Sequence, residues 1–501
     1  MKACTSEQES SLLELLPRAQ PRFDEVKVKL RNVAFSPTSN SNLSTFIFHL
    51  STFIFPLSSR MNRHTLPNGL RIVHHEDPTT QMVAVNVLYN VGARHEDPER
   101  TGYAHLLEHL MFEGSIHIPD YDTHVQLAGG ENNAWTNNDL TNYYIALPCS
   151  NVETAFWLES DRMLGLALTE ESVEVQKGVV IEEFKQRHLN RPYGDVQHLI
   201  RSLAYKVHPY RWPTIGLCVE HIEQATLESV MDFYHRYYTP SNAILSVVGG
   251  ISFDEVIRLA KKWFGPIEDK AGSSPLGGPM RYDSIGCDEG RFIFPEESRL
   301  RAYKGGLLPE PPQQRIRRKS VYRNVPADML VMAFHMADRK SMEYHACDLI
   351  TDLLSAGQSS RLIRHLVHDQ HLFTSIDAYI QGSFDEGLLY IMGRLTEGVT
   401  LEQAEQAVWT ELEALKRSTI EPEELNKVRN RSESERTFNN INYLNRAVNM
   451  AQLELIGQDL ELADELARYC SVSTKDVQST ARKVFTKKNC CVLYYKACPQ
   501  H

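Results

Sequence analysis

Hydrophobic positions change period several times along the chain, and the changes recur in order. From residue 65, TLPNGLRIVHHEDPTTQMVAVNVLYNVG alternates apolar and polar positions around a Pro-Asn-Gly turn, which predicts a hairpin. The period becomes helical through TGYAHLLEHLMFEGS, then GGENNAWTNNDLTNYYIALP returns to strand behaviour with Thr and aromatic positions. Helices are expected over NVETAFWLESDRMLGLAL and EESVEVQKGVVIEEFKQR, followed by a buried strand over NAILSVVGG and a helix over DEVIRLAKKWFG that Gly265 stops. The second half runs through the same order: strand LVMAFHM, helix YHACDLITDLL, strand DEGLLYIMGRL, helices LEQAEQAVWTELEALKRS and EPEELNKVRNRSESERTF, and strand CCVLYYKA.

One supersecondary order used twice predicts an α+β fold of two homologous domains, each a mainly antiparallel sheet flanked by helices. The first copy is placed at residues 61–265 and the second at 313–501. Residues 266–312, rich in Gly, Pro and charge, read as a linker with an insertion near 276–305. Residues 1–60 are rich in Ser, Asn and Pro and hold no sustained period, so they read as an extension or a mis-set start. The tandem echo STFIFHL, STFIFPL at 44–57 lies too far from residue 1 for a secretory signal.

Composition narrows the function classes. A chain of 501 residues is too long for one ordinary core, and its net charge of −11 argues against nucleic acid or an anionic membrane as the main partner. A basic peptide suits that charge better. No run of 18 apolar residues is present, so no membrane insertion is expected. Nine cysteines without a CxxC pair read as reduced thiols, hence a cytoplasmic location. The basic run RIRRKSVYR at 315–323 reads as a solvated strand face.

Candidate chemistry sits in HLLEH. In a helix, His105 and His109 project from one face one turn apart and can converge on one metal ion, with Glu108 leaning over the same face as a general base that is not a ligand. The alternative is a core helix with two satisfied histidines. Two imidazoles leave a zinc peptidase site one protein ligand short, and QKGVVIEE at 176–183 offers Glu182 or Glu183 beside an apolar run.

These residues resemble the pitrilysin, or insulinase, family of zinc peptidases, the inverzincins, with the processing peptidases as the nearest type. That family pairs HxxEH with a Glu some 70 to 80 residues on, and Glu183 lies at that spacing from His109. The resemblance implies two metallohydrolase-like domains, one zinc ion per chain held by His105, His109 and Glu183, and Glu108 as catalytic base. It also implies that GGENNAWTNNDLTNYY carries an edge strand on which a peptide substrate lies, with Asn133, Ala134 and Trp135 as its contacts. The loop HPYRWPTIG resembles a structural loop near the cleft, with His208 as a structural residue.

Two departures stand out. The family reads ERxVVxEE, its first Glu assisting catalysis, whereas Gln176 stands there in this chain, leaving Glu182 or Glu174 as the candidate assisting acid. Self-sufficient members also carry an Arg and a Tyr seven residues apart in the second half, where this register puts Val367 and Thr374. The expectation is therefore an endopeptidase acting on peptides or unfolded segments in a closed chamber, as the zinc-bearing subunit of a heterodimer whose homologous partner supplies Arg and Tyr. The alternatives are a homodimer using Arg361, Arg364 or His365, and a non-catalytic scaffold subunit of the same fold.

Overall fold

Two sheets of like topology organise the protein. The structure, a computed structural model, describes residues 61–269, 309–382, 384–457 and 461–498, all of which fall in one unit spanning Ser58–His501. The expected extension at 1–60 and most of the expected linker lie outside the described residues.

The first sheet comprises β1 (Asn62–Thr65), β2 (Arg71–Glu76), β3 (Met82–Tyr89), β4 (Glu131–Thr136), β5 (Thr141–Pro148) and β6 (Ala243–Gly249) in the order β1-β2-β6-β3-β5-β4. The second comprises β7 (Arg317–Arg323), β8 (Met329–His335), β9 (Phe373–Gln381), β10 (Leu388–Leu395) and β11 (Cys490–Ala497) in the order β7-β11-β8-β10-β9. Leaving out β1, the two orders correspond strand for strand. In each sheet the one parallel pair is also the equivalent one, β2 with β6 and β7 with β11.

The Pro-Asn-Gly turn does make a hairpin of β1 and β2. Leu66 and Leu70 close it by Leu66 N–H donating to Leu70 O at 2.9 Å, Gly69 takes φ +89°, and the Asn68 amide donates to the carbonyls of Phe264 and Ile267. The hairpin does not extend to β3, because β6 lies between β2 and β3. AILSVVG is apolar at nearly every position and stable only with a neighbour on both edges, which the chain supplies from β2 and β3 in its distant N-terminal part rather than locally.

The helices that matter for the site are α1 (Tyr103–Leu110), α2 (Val152–Leu164), α3 (Glu170–Phe184), α4 (Val196–Ala204) and α5 (Phe253–Trp263) in the first half. The second half contributes α6 (Met342–Ser355), α7 (Leu401–Arg417), α8 (Pro422–Ile441), α9 (Tyr443–Ile456), α10 (Leu462–Ser471) and α11 (Thr474–Val484). Each half sends one helix across to the other sheet. Val196, Ile200 and Ala204 of α4 pack on Val331, Ala333, Tyr390 and Leu493 of the second sheet. Ala447, Met450 and Ala451 of α9 pack on Val73, Ala84, Leu88, Ile244 and Val248 of the first. Own helices cover one face of a sheet and the borrowed helix covers the other, which is why β3 and β6 are buried along almost their whole length instead of on alternate residues.

A charged clasp adds to this interleaving. The β9–β10 turn enters the first half, where Asp385 meets Arg94 Nη1 at 3.0 Å and His208 Nε2 at 3.2 Å, while Arg94 also pairs with Asp139 at 3.2 Å. Phe384 N–H donates to the other Asp139 oxygen at 3.1 Å. Arg94 is 2% exposed, so its two carboxylates are what make its burial tolerable. The basic run on β7 is likewise bound internally: Arg318 forks Glu405, and Arg323 forks Asp195 just before α4. Among the described residues no helix is long and apolar enough to cross a membrane, and Cys149, Cys218, Cys347, Cys470, Cys490, Cys491 and Cys498 are free thiols.

Candidate metal centre and catalytic groups

Local chemistry fixes where α1 begins. Gly102 takes φ +94°, and a Cβ there would come within 2.3 Å of Ile222 Cδ1. The buried Glu96 carboxyl accepts the Gly102 and Ala104 N–H groups, each at 2.8 Å, satisfying first-turn donors, while burial pushes the group up to about 8. Leu106, Leu107 and Leu110 are buried in the first core, so His105, Glu108 and His109 are left on the half-open face. HLLEH is therefore a core helix that carries donors able to hold a metal ion on its open face.

α3 brings the third donor. Thr169 caps it by accepting from Ser172 N–H at 3.1 Å, and Val173, Val180 and Phe184 seat it in the same core as α1. That seating turns Glu183 inward, its side chain 17% exposed, and sends Glu182 outward, 61% exposed and paired with Lys185 at 2.6 Å. Glu174 also faces away, paired with Lys177 at 2.6 Å. Both candidate assisting acids are thus exposed and engaged with lysines of their own helix or the turn after it.

Glu183 Oε2 lies 3.7 Å from His105 Nε2 and 3.5 Å from His109 Nε2, and the three ligand atoms all fall within 4.8 Å of one another. Zinc held tetrahedrally at about 2.0–2.1 Å needs its ligands about 3.3 Å apart. The donor set and spacing thus fit a zinc ion with little movement. Burial pushes the His105 ring down to about 4 despite the pull of Glu183, leaving it neutral with a lone pair to give. Glu183 is held below the usual carboxylate range, mainly by its hydrogen bond to His109, and that same bond raises His109. Arg187 takes the other oxygen, Nη1 to Oε1 at 2.7 Å, so Glu183 offers one oxygen to the histidine pair.

Glu108 is placed by a residue the sequence did not single out. Thr136, at the end of β4, donates its hydroxyl to Glu108 Oε2 at 2.5 Å, and Thr141 Oγ1 is anchored beside it on Val91 O at 2.9 Å. Thr136 lies 28 residues from Glu108, and its polarity looked like ordinary strand alternation; only the packing of α1 along β4 joins them. Burial raises the Glu108 carboxyl, against the bond from Thr136, as suits a proton acceptor that must later give the proton back.

β4 is the free edge of the first sheet and runs beside α1. Asn133 is exposed, while Ala134 and Trp135 are half-buried against the two sides of the sheet. The Ala134 N–H is met by the Asn133 side-chain oxygen at 2.8 Å, a local cap on an otherwise open edge. In the second half, Val367 packs against the second core and Thr374 donates to Arg394 O at 3.2 Å. Arg361 is forked on Glu424 and His365 is bonded to Glu411 at 2.9 Å, so both are committed within their own half; Arg364 is exposed. His208 belongs to the clasp with Asp385, not to the metal-type cluster.

Comparison with known proteins identifies the family and the fold. The model for insulinase, peptidase family M16, matches residues 71–216, and the model for the peptidase M16 inactive domain matches residues 224–432. The zinc protease PqqE of Helicobacter pylori is 26% identical over 437 residues, covering 86% of this chain and 92% of that protein. The uncharacterized zinc protease YmxG of Bacillus subtilis is 26% identical over 430 residues, covering 85% and 96%. A crystal structure of a protease from Helicobacter pylori superposes with a TM-score of 0.76 at 27% identity, covering 87% of this chain and 99% of that one. With both halves matched in chain order, and relatives aligned over nearly their full length, the chain belongs to the insulinase (M16) family of peptidases.

Proposed function

We propose that the protein is a zinc-dependent endopeptidase whose ion is held by His105, His109 and Glu183 and whose general base is Glu108. The observation that carries this reading is the convergence of the two imidazole Nε2 atoms on Glu183 Oε2 at 3.7 and 3.5 Å, with the Glu108 carboxylate on the same face of α1. When bound, zinc supplies Lewis acidity, making water a nucleophile near neutral pH and polarising the scissile carbonyl. Glu108, fixed by Thr136, takes the proton from the attacking water and passes it to the leaving amine. The open edge of β4 takes the peptide as an added strand, with Asn133, Ala134 and Trp135 along it, so main-chain hydrogen bonds give affinity without strict side-chain choice.

The second half supplies no free cation or phenol at the positions expected to steady the developing oxyanion, since Val367 and Thr374 are turned to their own core and strand. This supports action as one subunit of a pair, a homologous partner closing the chamber and supplying Arg and Tyr. The test combines zinc stoichiometry with peptide cleavage, alone and with a homologous subunit. Wild type is expected to bind one zinc per chain, Glu108→Gln to keep the zinc and lose cleavage, and the added subunit to raise turnover. A wild-type chain that takes up no zinc would instead make it a scaffold of the same fold, and a homologous subunit without effect would leave the homodimer.

A further inference from the structure

A carboxylate can give a metal ion one oxygen or two, and the choice matters where chemistry is to follow. A catalytic zinc site holds three protein ligands and keeps one position open for water or substrate, and a second oxygen from a ligand carboxylate would close that position. In this site the two oxygens of Glu183 have different neighbours. Oε2 faces His105 Nε2 at 3.7 Å and His109 Nε2 at 3.5 Å, while Oε1 is met by Arg187 Nη1 at 2.7 Å. The cation therefore stands on the oxygen that the imidazoles leave. The backbone holds it there. α3 passes into a π-helical turn, Lys185–Leu189, and Arg187 follows Glu183 by four positions, the order in which an acid and a base on one helix pair best. His188 anchors this turn, its Nδ1 donating to Gly194 O at 3.0 Å and its ring lying against those of Phe184 and His198. The neighbouring acid has a cation of its own, since Glu182 is paired with Lys185. The Arg187 side chain is 67% exposed, so its ion pair adds little to folding, and its effect falls on the sheltered Glu183.

We infer that Arg187 is a positioning residue for Glu183: it occupies one carboxylate oxygen, limits the glutamate to a single donor atom toward the metal position, and so keeps a coordination position open. The inference rests on the zinc reading above and deepens it. Neither HLLEH nor the spacing to Glu183 calls on residue 187, which acts only through the carboxylate it touches. The charge of Arg187 also fixes the sign of its effect. A guanidinium beside the ligand opposes a second cation, so a chain without it holds zinc at least as tightly. What it loses is the open position, because the released oxygen is free to turn to the metal as well.

The experiment measures zinc affinity of the full chain by chelator competition, and titrates imidazole into the cobalt-substituted protein, whose visible spectrum reports ligand number. Imidazole is neutral, so its binding reads the open position rather than attraction to a cation. Arg187→Met is expected to keep zinc as tightly as wild type or more so, and to bind imidazole about tenfold more weakly, the low end of what an orienting partner contributes. Arg187→Lys should recover part of that loss. Lys185→Met, which strips the cation from the neighbouring Glu182, should match wild type in both measurements, as should thermal unfolding of all three metal-free variants. An Arg187→Met protein with the cobalt spectrum and imidazole affinity of wild type would overturn the inference alone. So would an Arg187→Met protein that loses zinc, since the guanidinium would then be holding the ligand in place rather than limiting it to one oxygen. A wild type that binds neither metal would overturn the parent reading and this inference with it.

Discussion

Residues 105–114, HLLEHLMFEG, and 348–357, DLITDLLSAG, occupy the same place in the two halves of the molecule. Leu106, Leu107 and Leu110 seat the first segment as Leu349, Ile350 and Leu353 seat the second, and each ends at a glycine with positive φ, Gly114 and Gly357. The buried faces match while the open faces do not. Asp348, Thr351 and Asp352 stand where the first half has His105, Glu108 and His109. Opposite them, α8 presents arginines: Arg436 Nη2 meets Asp348 at 3.0 Å, Tyr469 donates to the same oxygen at 2.7 Å, and Arg431 pairs with Glu435. A guanidinium thus bridges the helix pair in the second half at the place where the first half converges three metal-type donors. The seat of the helix preserves the fold, and the chemistry of the open face is free to change from ligation to ion pairing.

The comparison can be broken or sharpened in order of effect. Glu108→Gln is expected to lower kcat by about 10²–10⁴-fold while leaving zinc content unchanged, and Thr351→Glu, at the equivalent position, is expected to add no activity; peptide hydrolysis with metal analysis checks both. Removing zinc by chelation should abolish cleavage and lower the unfolding temperature, by a stability of about 2.7 kcal/mol when free zinc stands at 100 times its dissociation constant. His109→Ala should erase that response to zinc, and Asp352→Ala should leave it intact.

Arg436→Met should cost about 1–3 kcal/mol in urea unfolding, because it leaves Asp348 without its ion pair in a half-buried site. Asp348→Asn in the same background should recover part of it. The smallest effect concerns pH. Burial, reinforced by Asp348, raises the Asp352 carboxyl to about 6. The folded state therefore holds a proton that the unfolded chain has released between about pH 4 and 6, and the contribution of this group to stability falls as pH rises through that window. Asp352→Asn should flatten the fall, raising neutral-pH stability by about 1 kcal/mol and changing nothing below pH 4; urea midpoints across pH 3–8 measure it.

Much of the scaffold was legible from periodicity. The strands over 243–249, 329–335, 388–395 and 490–497 and the helices α2, α3, α7 and α8 form where the hydrophobic pattern puts them, to within a residue or two at most ends. The repeat was legible from the same pattern. Other features were not. The alternation from residue 65 predicted the β1–β2 hairpin but not what lies on the other side of β2, where β6 takes its place, since a strand that is apolar throughout has more to gain at the centre of a sheet than a local neighbour has. The clasp of Arg94, Asp139, His208 and Asp385 left no mark beyond polar residues in loops. Gln176 looked like the loss of an acid until the turn after α1 brought Glu113 to it.

By itself the sequence determined which residues share a helix face, because positions three and four apart align whatever surrounds them. That was enough to put His105, Glu108 and His109 together and the leucines behind them. Tertiary structure decided everything that depends on how one element is turned against another. The packing of Val173, Val180 and Phe184 turned Glu183 to the histidines and Glu182 to Lys185, the run of β4 beside α1 brought Thr136 to Glu108, and the exchange of α4 and α9 buried both faces of each sheet. Those pairings join residues far apart in the chain, and their orientation follows from which apolar surfaces can be buried together, a property of the whole fold rather than of any one segment.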